Sequence, residues 1–469
     1  MPGQPTPTQP LTGELPPAPV PVIPEMEPIG PPSTIPSAPQ RVLPPTAGLP
    51  IGARFQFEPS VTLSELYSDN FNLTKTNKVD NFRSTISPGL RIGLNLPQTK
   101  GLLGLTFAPS YDSSDQEFSY FYSLLGQVIW QPTPRWQLTV ADTYTRSDQP
   151  GEADRLGLRQ QRQTFDSNTF ALTSDYLIGP VATRGSYRLI TFSDDASDTT
   201  THALGVNATV PVYQTNTLTG GYEYITSDTE GKGGTTGQTS LQGQSSTVHG
   251  HQFTGAAARQ FTTLRTVGVK GSYGLRTIDD NTGSQDFQIW TASVFGKYVL
   301  PGRLTIDGSL GVTGLSSDRG DSIGPKLFSA SAINYSFGRA IATLAYDSGF
   351  SETFSEGQNF GVVETQGVTG SLYYPFTPAI AGTLSGYWRR NKPTEIQGLN
   401  GGGNSDNTTW GGTLAFSWRI LRGLLLDLSY TYTEQTVNND RGAVSGTSVT
   451  GTENGYTENR VQASLRFTF

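Results

Sequence analysis

Near the C-terminus, Val461, Ala463, Leu465, Phe467 and Phe469 alternate with Arg460, Gln462, Ser464, Arg466 and Thr468. Side chains two apart on an extended chain point the same way, so this segment carries one oily and one wet face. The same rhythm sets Leu424, Leu426, Leu428, Tyr430 and Tyr432 against Leu425, Asp427, Ser429, Thr431 and Thr433. It sets Trp410, Leu414, Phe416, Trp418 and Ile420 against Thr413, Ser417 and Arg419. It also sets Leu304, Ile306, Leu310 and Val312 against Arg303, Thr305, Asp307, Ser309 and Thr313. From Gly52 to the last residue the pattern recurs in segments of about ten residues, each closed by a turn.

Alternation alone fits two architectures. A β-sandwich buries its oily faces between sheets and turns the polar faces to water. A transmembrane barrel turns the oily face to lipid and keeps polar or small groups inside. Three features favour the barrel. Aromatic residues sit near the ends of the oily rows (Trp136, Tyr144; Trp290, Tyr298; Trp388; Trp410, Trp418), as in interfacial girdles. Connections alternate between tight turns, at 96–99, 131–134, 177–180, 300–302, 336–338 and 376–378, and long polar loops. The loops are 68–81, 112–118, 147–163, 193–201, 226–247, 277–285, 316–324, 391–408 and 434–458. The chain ends on a strand closed by Phe467 and Phe469, an ending that resembles the signal read by the barrel assembly machinery.

The pattern predicts an all-β, antiparallel transmembrane barrel of about 20 strands (18–22) over residues 51–469, with both strand termini on the short-turn, periplasmic side. Its oily exterior is expected to meet outer-membrane lipid and lipopolysaccharide. Asp142 and Glu65 fall on the lipid face by parity and are expected toward the long-loop ends of their strands, above the hydrocarbon. Segment 248–261 has ambiguous parity and predicts a bulge.

Residues 1–50 break the pattern, holding 17 of the 31 prolines. Proline fixes φ and removes a backbone donor, so this segment reads as an extended, disordered tether in the periplasm. Met1-Pro2-Gly3-Gln4-Pro5 carries neither the basic nor the apolar part of an export signal.

Composition narrows the chemistry. Cysteine is absent, which excludes disulfides, thiolate metal sites and cysteine nucleophiles. The net charge of -7 argues against nucleic acid as a partner. No apolar stretch is long enough for a transmembrane helix. The three histidines, His202, His249 and His251, lie near loop-side strand ends, and His249-Gly250-His251 lacks a carboxylate third ligand. Gly220-Gly221 and Gly401-Gly402-Gly403 precede no helix and cradle no phosphate. No enzyme, cofactor or metal is expected.

Parity sends 11 basic side chains inward: Arg54, Arg91, Arg184, Arg188, Lys270, Arg276, Lys297, Arg303, Arg389, Arg419 and Arg466. Only Glu58, Asp175, Glu223, Asp307 and Asp427 join them. Such a lumen favours anions over cations. Pairing across strands is the competing role: Lys297 with Asp307, and Arg419 with Asp427, would merely brace the wall.

Ser60-Val61-Thr62-Leu63-Ser64-Glu65-Leu66-Tyr67-Ser68-Asp69-Asn70, followed by Ile86-Ser87-Pro88-Gly89-Leu90, resembles the opening of the beta-barrel porin 2 family. That family occurs with exopolysaccharide and PEP-CTERM/exosortase systems. The resemblance implies an outer-membrane conduit for small solutes or for an exported polysaccharide, working with periplasmic export components. The alternative is a plugged structural or adhesive barrel that acts through long loops such as 226–247 and 434–458.

Overall fold

The computed structural model describes residues 54–149, 162–195, 197–213, 215–232, 245–280, 283–318, 321–352, 362–394, 406–438 and 455–469. The proline-rich segment 1–50 lies outside the described residues. The strands begin with β1 (Phe55–Ser68), β2 (Asn81–Asn95), β3 (Thr99–Asp112), β4 (Glu117–Thr133) and β5 (Trp136–Ser147). Next come β6 (Phe165–Ile178), β7 (Val181–Ser193), β8 (Ser197–Tyr213), β9 (Asn216–Gly231) and β10 (Ser246–Thr262). The second half opens with β11 (Arg265–Asp280), β12 (Gly283–Leu300), β13 (Leu304–Ser317), β14 (Ser322–Phe337) and β15 (Ala340–Glu352). It ends with β16 (Val362–Thr377), β17 (Ile380–Pro393), β18 (Asp406–Leu421), β19 (Leu424–Asn438) and β20 (Gly455–Thr468).

Each strand pairs antiparallel with the next, and β1 pairs with β20 from Ser60↔Thr468 to Ser68↔Arg460, which closes the 20-stranded sheet. Closure leaves no free edge, the condition for spanning a bilayer with strands. Phe469 adds a bond from its N–H to the Pro59 carbonyl. The oily rows face outward: Phe57, Leu63, Leu204, Val206, Val294, Leu310, Leu344, Leu384 and Leu414 are all exposed on the outer wall. An outer wall of that composition is stable only in hydrocarbon.

The aromatic girdles lie where alternation places them. Trp410 stands directly opposite Trp388 at the loop side, and Trp418 opposite Ile380 at the turn side. Trp136 and Tyr144, Trp290 and Tyr298, and Trp410 and Trp418 are each eight residues apart. At ~3.4 Å per residue and a tilt of ~40°, that is about 20 Å along the membrane normal, close to the apolar band of such barrels. Asp142 lies two residues below Tyr144 and Glu65 two below Tyr67, near the loop-side girdle. The Ser84 hydroxyl donates to Glu65 at 2.8 Å.

Two expectations need correction, and a third is placed more finely. Strands continue through 197–201, 226–231 and 277–280, which read as loop in the sequence. Above the membrane both faces meet polar surroundings, so alternation fades while the ladder continues, with inward Thr201 bonding Ser227 and Thr199 bonding Thr229. Segment 248–261 keeps regular register from Val248 to Arg259 along both neighbours, and its irregularity lies at the turn end, where the register shifts between Gln260 and Thr262. Arg303 belongs to the turn between β12 and β13 rather than to a strand.

One seam departs from a simple cylinder. β14 and β15 pair only from Ser329↔Ser348 down to Phe337↔Ala340. Above that point β14 stays with β13, while β15 stays with β16. Phe350, Glu352, Val362 and Glu364 continue the outward rows of Leu344 and Val368 by parity. Yet Phe350 and Val362 pack with Val248, Ile278, Phe287 and Leu315 from the inner faces of β10–β13. Glu352 pairs with inward Arg276 at 2.8 Å, and Glu364 with inward Lys326 at 3.3 Å. The upper ends of β15 and β16 are therefore tucked inside the wall formed by β10–β14.

Candidate functional site

The candidate site is the lumen, which divides at mid-height. On the loop side, inward residues are buried around the barrel: Arg83, Ser110, Asp112, Phe165, Phe192, Thr201, Ser227, Val248, Arg276, Phe287, Thr313, Asn391 and Glu458 among them. Two clusters of described residues are packed there. The first is the tucked hairpin and its apolar cluster, where Arg276 lies over Gly250 so closely that a Cβ there would come 2.5 Å from its Cδ. Besides Glu352, Arg276 donates to the His251 and Leu275 carbonyls and to Gln252.

The second cluster is polar. Arg83 is bidentate to Asp112 at 2.8 and 2.9 Å and to Asp148 at 2.9 and 2.6 Å. Its guanidinium sits between the rings of Phe71 and Phe121, 5.2 and 5.0 Å from their centroids. Asn81 donates a further bond to Asp112. Arg162, from the connection before β6, donates to the Phe71 carbonyl, Gln149 and Glu458. Ser68 completes Glu458, and Arg460 shares Gln149. These bonds fasten the connections after β1 and β5 onto the inner wall. Buried charge is tolerable only with this degree of pairing. Asp148 lies just past β5; burial pushes its carboxyl up, but hydrogen bonds and charge from Arg83 outweigh this and hold it below its ordinary value.

On the turn side much of the inner wall is accessible, although Asp427 and Ser464 are buried there. Arg91 is exposed, opposite Glu58. Lys297 and Asp307 face each other at 3.9 Å with side chains 57% and 60% exposed. Arg419 and Arg466 flank Leu425 in one row across β18, β19 and β20. Arg54 is exposed at the start of the wall, and Arg303 at the rim.

The 11 inward cations therefore separate by height. Arg276 and Arg389 lie in the buried half, Arg389 against Asp347 at 3.7 Å. Arg184 pairs with Asp175 at 2.6 Å, Lys270 lies over the Phe328 ring at 5.9 Å, and the buried Arg188 Nε has no hydrogen-bond partner. Arg54, Arg91, Lys297, Arg303, Arg419 and Arg466 belong to the accessible half or its rim. The expected Arg419–Asp427 pair stands one rung out of register: Asp427 opposes Ser417 and accepts its hydroxyl. Arg83 and Arg460 also face inward, sharing parity with Arg91 and Arg466, and strict alternation would have included them.

The histidines project outward and are not brought into the lumen. His202 meets Tyr187, His249 meets Tyr224 and His251 meets Tyr222, with ring nitrogen to hydroxyl distances of 2.9, 3.3 and 2.8 Å. Phe467 opposes Leu424 and Val61 on the outer face, and Phe469 is exposed.

No family model and no curated protein matches the chain. Solved structures do. The FrpB iron transporter from Neisseria meningitidis (F3-3 variant) is similar over 90% of this chain and 82% of its own, at 9% identity and a TM-score of 0.50. OccK2 (OpdF) from Pseudomonas aeruginosa, in complex with glucuronate, aligns over 88% and 98% at 10% identity and a TM-score of 0.39. OpdQ from the same organism aligns over 88% and 99%, at 10% identity and a TM-score of 0.40. The architecture is that of the outer-membrane β-barrels.

Proposed function

We propose that this barrel is an outer-membrane channel for passive passage of small solutes, with a turn-side vestibule that favours anions and a loop-side half that is closed in the conformation described. The observation that carries this is the division of the lumen: the exposed Arg91 and Lys297 and the half-buried Arg419 and Arg466 lie below a layer of buried, mutually paired side chains. Cations lining a water-filled vestibule lower the local energy of anions and raise that of cations. The resemblance of residues 60–70 and 86–90 to the beta-barrel porin 2 family supports a conduit. A polysaccharide would require the upper layer to part more widely than a small solute does. The tether at 1–50 would then reach periplasmic export components, and Phe467 and Phe469 would present the chain to the assembly machinery.

The packed upper half also favours a second reading, a plugged structural or adhesive barrel acting through its loops. Planar-bilayer recording of heat-modifiable, folded protein separates them. A channel gives discrete conductance steps; folded protein without steps, together with loss of surface binding on deletion of 226–247, supports the plugged barrel.

A further inference from the structure

The β2–β3 ladder runs from Arg83↔Asp112 to Thr85↔Ser110, stops, and resumes at Gly89↔Thr106 in the same register. Among the described residues it is the only ladder that loses rungs in its middle without a register shift. The residues facing each other across the gap are Ile86, Ser87 and Pro88 on β2 and Phe107, Ala108 and Pro109 on β3. Each side contributes a proline, which has no N–H to donate, so the gap cannot be fully re-laced by backbone bonds.

Outside, an apolar groove of about 480 Å³ adjoins the gap, lined by outward Pro88, Leu90, Leu105, Phe107, Tyr122 and Leu124. That volume lies within the range of small-molecule sites. Its floor is the backbone of Gly89, Thr106 and Ser123, whose inward positions carry no side chain or a small one. A Cβ on Gly89 would lie 2.8 Å from the Ser60 hydroxyl, so glycine is what fits beside Ser60 where the ladder resumes. Just above, Ser110, Asp112 and Arg83 belong to the closed half; just below, the lumen is accessible.

We infer that the β2–β3 gap is a lateral portal through which a hydrocarbon chain passes between the bilayer and the turn-side lumen. The wall is unlaced where oily surface outside meets small polar surface inside, and the described side chains above it are buried and mutually paired. The substrate class is an amphiphile with a single acyl chain. This rests on reading the lumen as a transport route, and the two claims fail separately: conductance reports the axial route, labelling the lateral one.

The test uses the full chain in phosphatidylcholine vesicles with a diazirine-bearing stearic acid as probe. Ser87→Cys and Ala108→Cys, facing each other in an otherwise cysteine-free chain, are oxidised to a disulfide only after folding and reconstitution. The expected result is carbene insertion at Leu125 and Gln127, which face the lumen on β4 and lie outside the groove, in the reduced protein. Insertion should fall at least about fivefold on oxidation and recover with reductant, while lumen-facing Thr173 on the intact β6 stays unlabelled and ionic conductance is unchanged. Insertion confined to Leu90, Leu105, Phe107 and Tyr122, or inner-face insertion that survives the disulfide, overturns the portal.

Discussion

The loop-side and turn-side halves of the lumen use the same residue types for opposite ends. Above, Arg83 is bound to two carboxylates between two phenylalanine rings and is 7% exposed, so its charge is spent on holding chain segments together. Below, Lys297 and Asp307 face each other across neighbouring strands at 3.9 Å with more than half of each side chain in solvent. An exposed pair of that kind contributes little to stability and leaves its field available to ions. An inward arginine is thus a buried tie or an accessible charge according to its height in the wall.

The largest contrast is expected from removing one cation in each half. Arg83→Ala leaves Asp112 and Asp148 buried without their partner, a loss of about 3–5 kcal/mol. The heat-modifiable gel band should unfold at lower temperature, and single-channel conductance should rise as the connections after β1 and β5 come free. Arg91→Ala should stay within ~0.5 kcal/mol of the parent on the same gel.

Selectivity should divide the other way. Arg91→Gln, Arg419→Gln and Arg466→Gln together should lower the anion-to-cation permeability ratio by about twofold, read as a shift in reversal potential under a salt gradient. Arg276→Gln with Arg389→Gln should leave the sign of selectivity untouched. An equal shift from both sets would erase the distinction between the halves.

The smallest expected effect is on pH. A carboxyl held below its ordinary value in the docked segment binds protons less readily there than after release. Asp148 therefore contributes its full share to docking above pH ~4 and loses it as pH falls further. Conductance should match at pH 7 and pH 5 and rise only as the pH falls below ~4. Asp148→Asn should remove that rise.

The strand rhythm was readable in sequence because the bilayer imposes it. Leu426, Phe416 and Leu465 must alternate with polar neighbours wherever one face meets lipid, and turns such as 300–302 punctuate the rows. Parity also assigned Arg91, Arg184, Lys270 and Lys297 to the inner face. Height and crossing contacts were not readable. Glu352 and Glu364 sit on outward rows by parity, and only the β14–β15 seam brings them to Arg276 and Lys326. Pro88 and Pro109 stand plainly in the sequence, but their meeting in one ladder depends on the register of two strands. Where the exterior leaves the hydrocarbon, at 197–201 and 277–280, the pattern that marks a strand vanishes although the hydrogen bonds do not.

Strand β13 offers the most direct test, because one strand samples all three environments and the chain has no native cysteine. Thr305→Cys faces the turn-side lumen, Thr313→Cys is buried in the loop-side half, and Leu310→Cys lies on the 59% exposed outer surface. With reconstituted protein and a membrane-impermeant maleimide, Thr305→Cys should label rapidly, and Thr313→Cys and Leu310→Cys only after denaturation. A lipid-soluble maleimide should reach Leu310→Cys in the folded barrel. Equal labelling of Thr305→Cys and Thr313→Cys would contradict the divided lumen, and rapid labelling of Leu310→Cys by the impermeant reagent would contradict a lipid-facing wall.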